Sequence, residues 1–335
     1  IPNKNNFNAV RIFFRAAFIL AKFSLNFYIM TKIKKLSAQE AQKIAAGEVV
    51  ERPANIVKEL LENSLDAGST QISIYVEDGG KKLIKIVDNG FGMTPEDAVM
   101  SIEHHATSKI TTVDDLETLK TFGFRGEALS SISAISLMSI KTKTDETDQG
   151  ILINIEWAKV LSQDVVSCNT GTEITVKNIF DNIPARKKFL KTKETELRAI
   201  VQLFFAAVLS YKNVHFKFFS ENKLVHRWPP VDDIKSRISQ LYDHNLVSNI
   251  ITNELEDTKN RIKLSCAITA PEYTRYDRNT IFYFVNSRWV KNYKLSQATM
   301  KGYMNVLPDG KFPAAFIFIE IEPNLIDVNI HPRKD

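Results

Sequence analysis

Cysteine is nearly absent from this 335-residue chain: Cys168 and Cys266 stand far apart, with no further Cys and no His at ligand spacing beside them. That excludes a disulfide scaffold and a zinc knuckle, and it suits a reducing compartment. Glycine (12) and proline (11) are scarce, which excludes collagen-like and low-complexity designs. A long uncharged apolar run is missing as well. The most apolar stretch, residues 9–30, is interrupted by Arg11, Arg15 and Lys22, so it does not read as a membrane span, and no membrane partner is expected. It also lacks the clean apolar core and small-residue cleavage site of a secretory signal. The phosphate-loop pattern G-x-x-x-x-G-K-[ST] occurs nowhere. Charge of one sign is not in large excess either. The formal net charge is +5, and Lys4, Arg11, Arg15 and Lys22, in an acid-free segment 1–29, account for all but one of it. Any nucleic-acid surface must therefore be a local patch.

What is present is ordinary for a folded chain: 44% hydrophobic, 25% charged and 10% aromatic residues, in a length that suits about two domains. The segment TKIKKLSAQEAQKIAAGE after Met30 opens like a domain. Residues 1–29 are accordingly read as an N-terminal extension outside the fold, translated sequence upstream of a true start at Met30, with an acid-free amphipathic presequence as the competing reading. Ser37 and Glu40 have capping-box spacing and predict a helix over 38–46. Pro53 suits the first turn of a helix that runs to about Leu65 and stops at Gly68. Residues 71–77 and 83–88, rich in β-branched side chains around Asp78-Gly79-Gly80, predict a hairpin. Further helices are expected from Thr94-Pro95-Glu96, over 126–134 and over 194–210, and strands at 136–142, 151–155, 173–178, 214–219 and 223–227. This is mixed α/β with antiparallel hairpins, not a strict βαβ alternation. Pro229-Pro230 marks the boundary to a second, smaller α/β domain. There the pattern predicts a helix at 232–241, a polar stretch at 252–260, strands at 262–269 and 281–286, a helix near 292–302, and strands at 315–320 and 326–330.

Three places carry candidate chemistry. On the helix from Pro53, at 100° per residue, Ile56, Val57, Leu60, Leu61 and Leu65 fill one half of the wheel, while Glu59, Asn63 and Asp66 share a narrow stripe on the other. In an isolated helix such a stripe is a solvated face. Asn63, a mediocre helix former in mid-helix, argues for a use: a carboxylate and an amide one turn apart can hold a water and a metal ion together. Next, Asp88-Asn89-Gly90-Phe91-Gly92-Met93 follows a strand directly. Its glycines allow a tight turn and the close approach of a flat ligand, and its Asp can accept from an exocyclic amine. Third, His104-His105-Ala106-Thr107-Ser108-Lys109 precedes a glycine-flanked helix start at Gly123-Phe124-Arg125-Gly126-Glu127-Ala128-Leu129. Free N–H groups at such a start suit phosphate oxygens. Adjacent His104 and His105 splay apart and make a poor metal pair. Each piece alone is weak.

In this order they are specific. The chain resembles the N-terminal ATPase half of MutL-type DNA mismatch repair proteins, within the GHKL superfamily of gyrases, heat-shock chaperones, histidine kinases and MutL. The resemblance rests on IAAGEVVERPANIVKELLENSLDAG (44–68), DNGFGM (88–93), HATSK (105–109), GFRGEALSSI (123–132), GTEITVKNIFDNIPARKKFLK (171–191), FVNSRW (284–289) and DVNIHPRK (327–334). It implies an α/β fold, an α+β sandwich. A GHKL (Bergerat-type) ATPase domain with a mixed sheet would cover 30–230, and a smaller ribosomal-S5-like transducer domain 231–335. It implies ATP and Mg²⁺ as ligands, with Glu59 as the general base that orients the attacking water and Asn63 as the magnesium ligand. It further implies that Asp88 bonds the adenine amino group, with Gly90, Gly92, Met93 and Thr172 around that end. Thr107, Ser108, Lys109 and the loop Gly123, Phe124, Arg125, Gly126, Glu127, Ala128 and Leu129 would wrap the phosphates. Lys334, from the second domain, would reach the γ-phosphate.

Two basic sets stand out for DNA, single- or double-stranded and without sequence preference. Arg186, Lys187, Lys188, Lys191 and Lys193 form one; Arg288, Lys291 and Lys294, beside Trp289 and Tyr293, form the other. The family resemblance implies a mismatch-repair mediator whose slow ATP hydrolysis gates homodimerisation. It would signal from a MutS-type sensor to downstream enzymes, in the bacterial cytoplasm near the nucleoid or in a eukaryotic nucleus. A nucleotide-switched DNA-binding scaffold without hydrolysis is the alternative, and Glu59 weighs against it, since a pure binder needs no base. Family members continue into a C-terminal dimerisation region that in many carries an endonuclease site.

Overall fold

The computed structural model describes residues 37, 40, 44, 46, 47, 49–104, 106–109, 121–123 and 126–326. By its contacts the chain divides into residues 1–41, of which only Ser37 and Glu40 are described, and residues 42–335. In the first unit Glu40 N donates to Ser37 Oγ (3.2 Å), one half of the capping box that the spacing predicts. Everything that follows belongs to the second unit.

Helix α1 (Pro53–Asp66) begins where expected. Pro53 fits a first turn because its missing N–H would have no partner there. The Asn55 side chain accepts from Arg52 N (3.0 Å) and closes that end. Ile56, Val57, Leu60 and Leu61 are buried, and so is Ser64, a polar residue on the apolar face. β1 (Gln71–Glu77) and β2 (Leu83–Asp88) form the predicted antiparallel hairpin. α2 (Pro95–Met100), capped by Thr94, and α3 (Ala128–Ala134) follow. Then come β3 (Leu137–Lys143), β4 (Gly150–Glu156), β5 (Lys159–Val166) and β6 (Gly171–Lys177). A short α4 (Pro184–Lys187) leads into the long α5 (Lys193–Ser210), and β7 (His215–Ser220) and β8 (Lys223–Trp228) complete the first sheet. Its order is β5-β4-β3-β6-β2-β1-β7-β8, antiparallel except for the β1/β7 pair. Ile72, Ile74, Ile84, Ile86, Ile140 and Val176 turn one face of it into the first core, onto which α1 and α5 pack.

α6 (Ile234–Leu241), α7 (His244–Ser248) and α8 (Tyr293–Gly302) accompany a second sheet. Its strands are β9 (Ile250–Asp257), β10 (Ile262–Thr269), β11 (Ile281–Val285), β12 (Arg288–Val290) and β13 (Ala315–Ile321), in the order β12-β11-β13-β10-β9. Phe282, Phe284, Phe316, Ile238 and Leu246 build a second core, and Ala206 and Leu209 of α5 join it. Buried Arg237 of α6 ties this part to the first, donating to Pro229 O (2.9 Å) and Val214 O (3.0 Å).

Two differences from the sequence expectations have a physical cause. The polar stretch at 252–260 is mostly strand: β9 runs along the sheet edge with only Ile250 buried, so neither face needs apolar residues, and Glu254, Glu256 and Asp257 blunt the edge against further pairing. β5, which was not expected, is likewise an edge strand. The strand expected at 326–330 lies almost wholly outside the described residues. No described helix is long and apolar enough to cross a membrane.

Candidate functional site

α1 runs between two groups of candidate residues. At one end of the site stands Asp88, the last residue of β2. Its Oδ2 accepts from Ser64 Oγ of α1 (2.8 Å) and its Oδ1 from Gly90 N (2.9 Å). Burial pushes the Asp88 carboxyl above its ordinary pKa, and the hydrogen bonds from Gly90, Ser64 and Thr172 hold it down in part. The turn after Asp88 is stapled to the start of β1 by Asn89, whose Oδ1 accepts from Thr70 N (2.9 Å) and Gln71 N (2.7 Å). Gly92 has φ +72°, and a Cβ there would sit 2.0 Å from Lys143 O. Gly171 has φ +122°, and its Cβ would sit 2.2 Å from Asp88 O, so β6 reaches this depth only because the residue is glycine. Thr172 pairs with Asp88 across the β2/β6 ladder. Buried Thr142 joins the parts: its hydroxyl accepts from Met93 N (2.9 Å), donates to Gly171 O (2.9 Å) and lies 3.1 Å from Thr172 Oγ1.

At the other end, half-buried Glu59, Asn63 and Asp66 share one side of α1, as the wheel predicts. Lys109 Nζ donates to Asn63 Oδ1 (2.9 Å) and Asp66 Oδ2 (2.5 Å). Asp66 also accepts from Phe122 N (3.0 Å) and Gly123 N (3.4 Å). One carboxylate thus holds both Lys109 and residues 122–123 beside Asn63. Thr107 Oγ1 accepts from Lys109 N (3.1 Å), and Ser108 is exposed. Gly126 lies against the Ala106 carbonyl, and half-buried Glu127, Ala128 and Leu129 open α3 beside it. Phe124, Arg125 and Lys334 lie outside the described residues.

The basic candidates divide. Arg186 Nη1 donates to Gly47 O (2.6 Å), and Lys187 pairs with Asp181 (2.6 Å), while Lys188 is exposed. Arg288 Nη2 donates to Phe122 O (2.9 Å) with its guanidinium 5.4 Å from the Phe122 ring, so it fastens the second sheet to Phe122 beside Asp66. Lys291 lies over the Trp289 ring (4.9 Å), and Lys294 is exposed. Sequence reasoning missed Ser64 and Thr142, each of which is brought to the site only by folding. Asp66 stood on the Glu59–Asn63 stripe without a role, although the stripe itself was the signal.

Two family models match the chain: "Histidine kinase-, DNA gyrase B-, and HSP90-like ATPase" over residues 51–184 and "DNA mismatch repair protein, C-terminal domain" over residues 238–335. The DNA mismatch repair protein MutL of Streptococcus agalactiae is 44% identical over 305 residues, which are 91% of this chain and 46% of that protein. The MutL protein of Christiangramia forsetii is 42% identical over 302 residues, 90% of this chain and 48% of that one. The chain therefore spans about half the length of the curated relatives it matches. Among solved structures, the Aquifex aeolicus MutL ATPase domain complexed with ADP aligns with TM-score 0.62 at 27% identity, covering 82% of this chain and 93% of that one. The ATPase region of Saccharomyces cerevisiae topoisomerase II aligns with TM-score 0.57 at 14% identity, over 88% of this chain and 86% of that one, a likeness of fold.

Proposed function

The chain belongs to the MutL family of DNA mismatch repair proteins, and from that premise we propose that it is a slow, magnesium-dependent ATPase. Its nucleotide state would gate pairing of two copies, DNA binding and signalling from a MutS-type mismatch sensor to downstream repair enzymes. One observation carries the reading: α1 connects both ends of the site, with Ser64 on the Asp88 carboxylate and Asn63 in the Lys109–Asp66 cluster. An adenine amine set against Asp88 places the phosphates along the Glu59–Asn63 side of the helix. ADP in the related Aquifex structure supports a nucleotide here. The reading divides the chain into an ATPase domain over 30–230 and a transducer domain over 231–335. The bacterial relatives support a cytoplasmic, nucleoid-associated setting.

The donor set fits a divalent cation. Asn63 Oδ1 already accepts a cationic group, the Lys109 ammonium. Among the described residues no cluster of three His, Cys, Asp or Glu could hold a metal. Magnesium takes few protein ligands and relies on substrate phosphates and water. Bound at Asn63, magnesium would neutralise charge on the phosphates. Glu59 orients a water in line with the γ-phosphorus and takes its proton as the new P–O bond forms. The bond from the γ-phosphorus to the bridging oxygen breaks, and ADP is the leaving group. Thr107, Ser108, Lys109 and residues 123–129 would contact the phosphates. Lys334 of the second domain contacts the γ-phosphate, which gives ATP a hold on domain closure that ADP lacks.

Phosphate release with Mg·ATP, measured for wild type and Glu59→Ala over a range of protein concentrations, tests this. Turnover rising more than linearly with protein, and falling by about 10²–10⁴ in the variant, is expected. Turnover that survives Glu59→Ala removes the assigned base, and tight ATP binding without turnover favours the scaffold alternative.

A further inference from the structure

Between α4 and α5 the chain makes a basic knuckle. Arg186, Lys187, Lys188, Lys191 and Lys193 fall within eight positions that contain no acid. In its middle Phe189 is 81% exposed, whereas its neighbour Leu190 packs on the first core. This is not a frayed end. Phe189 N donates to Arg186 O (2.9 Å), Leu190 N to Lys187 O (3.3 Å), and Lys191 N to Oε1 of the buried Glu196 (3.0 Å). Glu196 is itself clamped by Arg52 (2.8 Å), and Arg186 is anchored on Gly47 O. The backbone on both sides of the ring is therefore fixed, and the ring is held out in water. Around it, Lys188 and Lys191 are exposed and make no ion pair among the described residues. Lys187 and Lys193 pair with Asp181 and Glu221, and all four of these side chains keep more than a third of their surface in solvent, where phosphate can compete for the lysines. Of the other nearby acids, Glu194 faces solvent in the first turn of α5, and Asp78, which also acts on Lys193, pairs with Lys81 (3.4 Å).

A rigidly presented aromatic ring among lysines is the arrangement that grips unpaired nucleotides: phosphates go to the cations, and a base face goes to the ring. A duplex offers the same phosphates but keeps its base faces stacked. We infer that Phe189 is a base-stacking contact for single-stranded DNA, with Lys188 and Lys191 holding the flanking phosphates. The inference rests on the DNA-binding role proposed above, and it names a residue and a strand state for it.

The test uses fluorescence anisotropy with a labelled oligothymidine and a duplex of equal length, over one series of salt concentrations for both. Phe189→Ala weakens oligothymidine binding about tenfold, leaves duplex binding within about twofold, and leaves its salt slope unchanged. Lys188→Ala lowers the slope by about one for both. Phe189→Trp, read as a difference from wild type, is quenched as oligothymidine binds, while ADP binding stays as in wild type for all three variants. If wild type binds oligothymidine but Phe189→Ala binds it equally well, or Phe189→Trp emission does not change, this inference fails and the DNA role stands. A Phe189→Ala protein that changes only its dimer content makes the ring a protein contact and overturns the inference. If wild type binds neither nucleic acid, the proposed DNA role fails and this inference with it.

Discussion

At the Asp88 end of the site, glycine lets backbone press against backbone, whereas at the Asn63 end nearly every contact is made by a side chain. Gly92 and Gly171 admit the Lys143 and Asp88 carbonyls to distances that any Cβ would forbid, and Thr142 locks the strands behind them. Around Asn63, by contrast, Lys109 and Asp66 meet through a charged pair that a bound ligand can exchange without moving a strand. Steric fit fixes one end, and exchangeable charge leaves the other free to respond. On the proposed reading, recognition of the base is built into the fold, while response to the phosphates is left to groups that can change partners.

Adenosine, which has no phosphates, separates the two ends experimentally. The largest effect is expected from Gly92→Ala. A left-handed φ costs an L-residue about 1–2 kcal/mol, and the Lys143 carbonyl must also yield. Calorimetry should show binding of both adenosine and ATP weakened more than about 100-fold, equivalent to roughly 2.7 kcal/mol, in a protein whose circular dichroism is still native. An adenosine affinity like wild type would break the distinction at its rigid end.

Asp88→Asn should weaken both ligands about tenfold or more, by exchanging a charged acceptor for the base amine for a neutral amide that turns an NH2 donor into the site. It should also stabilise the free protein. Burial raises the folded pKa of Asp88 above the unfolded value, so the ionised carboxylate costs stability at neutral pH, and that cost fades as pH falls through the folded pKa. The variant's Tm should exceed that of wild type at pH 7, and the gap should close on acidification. A gap that widens in acid would contradict the sign. The smallest effect belongs to Lys109→Met: ATP binding falls about five- to tenfold, as for one lost charge-assisted hydrogen bond, with adenosine binding unchanged. Equal losses for both ligands would mean that the two ends are not separable.

Much of this was legible before folding because it was local. The α1 stripe, the glycine turn after β2 and the hairpin around Gly79 each sit within a few residues of their own signal. Ser64 escaped because its partner Asp88 is 24 positions away, and a serine on an apolar helix face gives no hint of a carboxylate across the core. β9 escaped because an edge strand exposed on both sides has no alternation to detect. The two basic sets look alike as sequence. Arg186 and Arg288 nevertheless spend their guanidinium groups on the Gly47 and Phe122 carbonyls, and only the fold tells such a charge from one that faces solvent.

α5 belongs to both halves of the molecule. Ile200, Phe204 and Val208 complete the first core, and Ala206 and Leu209, on the same helix, help to wall the second. The halves therefore have no clean seam. Severing the chain at Pro229 would leave one fragment with a bare, sticky flank and the other missing part of a wall, each prone to associate with its own kind. A calorimeter should accordingly register the melting of both sheets as one event, and the boundary that looks natural on the printed chain is a poor place to cut it.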